Sequence, residues 1–115
     1  MKFEFILVFL MVLGGGSTLV FAAEEAGSGM SYDAKLQSCF ACHGENGDKP
    51  LMPDYPILSG QYQDYLAQTL YSYRSGRRQH PIMNAQVMAL GLTDDDIERL
   101  AAYFSSKQGL VNLGD

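Results

Sequence analysis

The sequence is short of the residues on which several protein classes depend. Its 115 residues include two cysteines, four prolines, two histidines and no tryptophan. Two cysteines cannot build the dense disulfide scaffold of a small secreted domain. Cationic side chains are also scarce: Lys+Arg is 8 against 13 Asp+Glu, a formal net charge of -5. Binding nucleic acid needs a basic face to neutralise phosphates, so no nucleic-acid partner is expected. Charged residues make up 18% and hydrophobic residues 47%, which is not the composition of a disordered chain. There is no alternating strand pattern, internal repeat or low-complexity tract. What remains is a length suited to one domain, rich in tyrosine (7) and methionine (6).

The first residues read as an address rather than as fold. Lys2 is followed by an apolar run over 3–13 broken by Glu4, then by Gly14 to Gly16, then by Leu19-Val20-Phe21-Ala22-Ala23. A charged start, an apolar core and small residues (Val20, Ala22) at the cleavage positions make a secretory signal. The expected organisation is a signal peptide over 1–22, a flexible lead-in over 23–30, one domain over 31–109 and a tail over 110–115. If retained, the apolar segment is long enough to anchor the chain in a bilayer, and only then is membrane contact expected. Either way the domain is expected outside the cytoplasm, in a periplasmic, oxidising compartment. The exported part is near the size at which an unaided core is marginal.

Periodicity and caps predict an all-α fold of three main helices. The last has Thr93 as N-cap, three aspartates in its first turn, and a stripe of Ile97, Leu100, Ala101 and Phe104. The middle one is expected from Ser59-Gly60 to Ser75, with Tyr62, Tyr65, Leu66, Thr69, Leu70 and Tyr73 on one broad face and Gly76 past its end. A short first helix is expected to start at Ser31 and lead to the cysteines. Pro50, Pro53 and Pro56 make 49–58 an extended loop.

Cys39-Phe40-Ala41-Cys42-His43 is C-x-x-C-H, the attachment signature of a c-type haem. Two thiols three residues apart on one helical turn can each add to a vinyl group of the same porphyrin. The histidine that follows is then placed to bind the iron. A redox dithiol needs a strand before the first cysteine, and none is legible. A closed zinc site needs four ligands. Only Cys39, Cys42, His43 and His80 are on offer, and His43 directly after Cys42 is poorly aimed for tetrahedral closure.

From here the residues resemble a known family. Cys39 to Gly47 is similar to the start of a class I c-type cytochrome. Pro56-Ile57-Leu58-Ser59-Gly60-Gln61 resembles the P-x-L-x-G-Q segment of its short bacterial members. Tyr65-Leu66, Gly76-x-Arg78, a methionine loop, Leu92 to Ile97 and Ala101 to Phe104 follow in the family's order, so the resemblance spans about 31–108. It implies a small fold around one covalently bound haem c, with low-spin iron between His43 and a methionine, used for one-electron transfer.

Three side chains compete for the distal position: Met83, Met88 and His80. The family's usual spacing to the last helix falls on Ala85 instead. Two extra residues within 85–91 restore Met83, which is the preferred ligand. The resemblance also implies that the backbone of Pro56 accepts the other ring N–H of His43, as iron-bound histidines require. Arg74, Arg77 and Arg78 are candidates to pair with a haem propionate, Arg78 foremost. Gly44 and Gly47 allow the turn after the haem-binding segment.

With both axial positions filled, the iron has no open site for substrate, and the expected function is a periplasmic single-electron carrier rather than an enzyme. Its partners are then a donor and an acceptor redox protein. The alternatives are a cytochrome subunit bound to a periplasmic dehydrogenase, and a five-coordinate sensor or peroxidase. Mass spectrometry of the matured protein should show the apo mass plus one haem. Joint Cys39→Ala and Cys42→Ala substitution should remove the adduct and most cooperative unfolding. A haem-free domain closed by a Cys39–Cys42 disulfide contradicts this reading.

Overall fold

The computed structural model describes residues 29–109. The expected signal, most of the lead-in and the C-terminal tail lie outside the described residues. Four helices and no strand are present among them: α1 (Tyr32–His43), α2 (Gln63–Ser75), α3 (Pro81–Ala89) and α4 (Asp94–Ser105). None is long and apolar enough to cross a membrane.

Helix α1 starts where the Ser31 hydroxyl accepts the Ala34 N–H at 3.2 Å, and it stops at Gly44, whose φ of 87° a side chain rarely adopts. The start of α4 is equally specified. Thr93 and Asp96 exchange hydrogen bonds in a capping box, Thr93 Oγ1 accepting at 3.1 Å and Asp96 Oδ2 at 2.9 Å. The predicted stripe of Ile97, Leu100, Ala101 and Phe104 is buried.

The middle helix begins later than expected. The Ser59 N–H bonds the Gly47 carbonyl at 3.2 Å, and the Gly60 N–H bonds the Phe104 carbonyl at 2.9 Å. Those donors therefore belong to the preceding loop, and α2 starts at Gln63 with Tyr62 as its cap. Tyr62 is correspondingly not part of the helical face: it is 82% exposed. The segment expected to be irregular is the short helix α3. Pro81 stands at its first turn, where a missing N–H costs nothing, and the His80 ring accepts the Met83 N–H at 3.3 Å.

Helix α1 lies against α4 through two kinds of contact. Phe40 meets Tyr103 and Phe104, with ring centroids 5.6 and 6.3 Å apart. At the other end, Lys35 Nζ reaches Asp96 Oδ2 at 2.6 Å and the Gly91 carbonyl at 3.3 Å. Both charged residues are buried, 4% and 6% exposed. Burial raises the Asp96 carboxyl's pKa, but bonds from Lys35 and Thr93 outweigh it and hold the group below the usual range.

Asp96→Asn should cost about 3–5 kcal/mol at neutral pH, because it strands the buried ammonium. The depressed pKa fixes the sign of the pH dependence. The contribution is complete above the unfolded carboxyl's value, about 3.9, and is lost as pH falls through the lower folded value. Denaturant melts across that window should show the variant and the wild type converging. Gly60→Ala should destabilise more than Gly76→Ala. Both have positive φ, but a Cβ on Gly60 collides with the Gly109 backbone while one on Gly76 meets nothing within 4 Å. Thermal melts of the two variants check this.

Candidate functional site

The last turn of α1 carries Cys39, Cys42 and His43 to the middle of the molecule. The loop after α1 is folded back on it: the Leu51 N–H bonds the Cys42 carbonyl and the Leu58 N–H the Gly47 carbonyl, at 2.9 and 2.7 Å. A Cβ on Gly47 would press on the Phe104 ring and on Leu58, so glycine is required where the loop crosses α4. This return brings Pro56 over His43, whose Nδ1 lies 2.9 Å from the Pro56 carbonyl oxygen. With that carbonyl as acceptor, Nδ1 carries the proton and Nε2 presents its lone pair. His43 is 6% exposed. Burial lowers its pKa, and the Pro56 bond only partly offsets this, so the ring is neutral at physiological pH, as a metal ligand must be.

Two adjoining cavities, of about 160 and 330 Å³, open beside this ring. Cys39, His43, Pro56, Leu70, Tyr73 and Met83 line both. The smaller reaches in to Leu100, Ala101 and Phe104 of α4; the larger runs out past Cys42, Tyr55 and Val87. The walls come from all four helices and the proline loop, and they are largely apolar.

The two thiols are free, and both border the larger cavity. Burial, reinforced by the neighbouring Cys42, pushes the Cys39 thiol up to about 11. A dithiol oxidoreductase needs the opposite, a thiol lowered toward neutrality. The donor set also speaks against zinc: His80 is exposed and its ring is engaged at the cap of α3. An apolar chamber with two thiols at one edge, a neutral imidazole and a thioether does fit an iron porphyrin.

Of the distal candidates, Met83 is partly buried and lines both cavities. Met88 is 67% exposed and lines neither. His80 borders the larger cavity only. The three arginines separate as well. Arg74 is committed elsewhere, to the Leu92 carbonyl at 3.0 Å and to Asp94 at 2.5 Å. Arg77 lies on the outer surface. Arg78 borders both cavities, its guanidinium 5.1 Å from the Tyr73 ring centroid.

The sequence reading passed over Asn84, whose Nδ2 holds the Tyr73 and Arg78 carbonyls at 2.8 and 3.0 Å and so docks α3 on the end of α2. It also passed over Tyr55, with its ring centroid 6.3 Å from that of His43. Neither carries a local signal, because each acts through a contact made only after folding.

Comparison with known proteins agrees with this chemistry. The family model described as cytochrome c matches residues 25–108. The chain is 34% identical over 110 residues to cytochrome c4 of Pseudomonas aeruginosa, covering 96% of this chain and 52% of that protein. It is 42% identical over 86 residues to cytochrome c-554(548) of Halomonas halodenitrificans, covering 72% of this chain and all of that one. It is 37% identical over 68 residues to a thiosulfate dehydrogenase electron acceptor of Thiomonas intermedia, covering 59% of this chain and 30% of that protein. The chain thus spans about half the length of the cytochrome c4 it matches.

Proposed function

The chain belongs to the cytochrome c family, whose cofactor is covalently bound haem c, and from that premise we propose that it is a mono-haem carrier of single electrons between redox proteins. The observation that carries the proposal is the meeting of His43, Met83 and both cysteines around one apolar chamber. A single C-x-x-C-H occurs in the sequence, which supports one haem per chain.

Each side chain has a distinct task. Cys39 and Cys42 would hold the porphyrin covalently, each S–H adding across a vinyl group to give a thioether with no other product. His43 would hold the iron through Nε2, while Pro56 fixes the ring's orientation and tautomer. Met83 would bind from α3, and a thioether ligand raises the potential. Arg78, which borders both cavities, would pair with a propionate. The bound haem supplies a one-electron iron couple; the protein supplies its potential and its docking surface. Two protein ligands leave no position for a substrate, so the chain does no bond chemistry of its own.

Export is part of this reading, on the strength of the apolar segment ahead of the domain. The net charge of -5 favours docking on basic or mixed surfaces, with rates that fall as salt rises. A second reading, acceptance of electrons from a dehydrogenase, is favoured by the likeness to the Thiomonas electron acceptor.

Met83→Ala should abolish the weak far-red thioether-to-iron absorption band, lower the potential and let the ferrous protein bind carbon monoxide. Met88→Ala should leave the spectrum as it is. Visible spectra of the two haem-loaded variants decide, and the reverse pattern assigns the ligand to Met88.

A further inference from the structure

The nine residues of α3 are too few for a helix that stands by itself. Its first half is docked by Asn84 on the Tyr73 carbonyl in the last turn of α2 and on the Arg78 carbonyl in the loop that follows. Its C-terminal end runs through Leu90 into the turn before α4, where two carbonyls point at cations from other helices. Gly91 O receives Lys35 Nζ of α1 at 3.3 Å, and Leu92 O receives Arg74 of α2 at 3.0 Å. Each cation also holds an aspartate in the first turn of α4: Lys35 takes Asp96 and Arg74 takes Asp94. Helix C-termini favour positive charge, and α3 has no basic residue in its own last turn. Lys35 and Arg74, 56 and 18 residues along the chain from the carbonyls they hold, place positive charge on the turn just beyond it.

We propose that Lys35 and Arg74 act together as a two-cation clamp on the turn between α3 and α4, and that this clamp sets how firmly Met83 is presented to the iron. The proposal rests on the ligand reading above. With the clamp closed, α3 is fixed at both ends and Met83 is held over the chamber. With either cation gone, the turn keeps the other cation and the packing of Val87, Leu90 and Leu92, but loses one of its two polar ties and holds the far end of α3 less firmly. Lys35 and Arg74 are positioning residues; neither touches the cofactor.

An external ligand that must displace Met83 reads this directly. Imidazole binds the ferric protein in proportion to the fraction of molecules whose methionine has let go. On the haem-loaded protein, Lys35→Met and Arg74→Met should each tighten imidazole binding by about tenfold. Arg99→Met, which removes a cation that contacts Tyr32 and Asp95 but not the turn, should leave it unchanged. Arg74→Met is the decisive variant. Its partner Asp94 is 77% exposed, so the pair adds far less stability than the buried Lys35–Asp96 pair, and the variant folds even if Lys35→Met does not. A role in stability alone leaves its imidazole affinity where it was. Unchanged affinity in Arg74→Met, or an equal gain in Arg99→Met, overturns the clamp. Persistence of the far-red band in Met83→Ala overturns the ligand reading itself, and the clamp with it. That result is distinct from a band that depends on Met83 but an affinity indifferent to the turn.

Discussion

The pairing of α1 with α4 is the contact from which the rest of the molecule is hung. One end is aromatic, Phe40 between Tyr103 and Phe104; the other is the buried ion pair of Lys35 and Asp96. The cysteines, His43 and the proline loop are located by reference to it. The last turn of α1 supplies the cysteines and His43. The Phe104 carbonyl takes the Gly60 N–H and the Tyr103 hydroxyl donates to the Glu45 carbonyl, which returns the proline loop to the histidine. The capping box of α4 ends the turn that follows α3. A charge pair as deeply buried as Lys35–Asp96 adds little net stability over an apolar substitute. What it adds is a specific tie: Lys35 joins α1 both to Asp96 of α4 and to the Gly91 carbonyl.

The sequence was most legible where local chemistry and fold coincide. The Thr93–Asp96 cap, the α4 stripe and the C-x-x-C-H turn are each written in a few adjacent residues, and the structure has them as expected. The proline loop was legible for the same reason, since proline restricts its own φ and its neighbour's backbone. The reading failed where a distant partner competes. Ser59-Gly60 looks like a helix start, yet its N–H groups are taken by Gly47 and Phe104. The 81–89 segment, expected to be an irregular methionine loop, is helical instead. Its helix depends on Pro81, on the His80 ring and on Asn84 reaching back to α2.

The same distinction applies within the site. Spacing alone puts Cys39, Cys42 and His43 on one turn, so their proximity needs no tertiary information. The choice among Met83, Met88 and His80 cannot be made from spacing, because the family's usual offset lands on an alanine. Burial separates the two methionines: α3 turns Met83 toward the chamber and leaves Met88 in solvent. Lys35 was silent in the sequence, as a lysine in a first helical turn reads as an ordinary surface charge.

The acceptor for His43 is a main-chain carbonyl on a proline. A carbonyl has no proton to gain or lose near neutrality, and no side-chain substitution deletes it. Had a carboxylate stood there, the electron density given to the imidazole would change whenever that acid titrated, and a redox centre behind it would drift with the acidity of its surroundings. With Pro56 in that role the imidazole's donor strength does not change with pH through its acceptor. The metal's electronic setting is insulated from the medium by a group that cannot ionise.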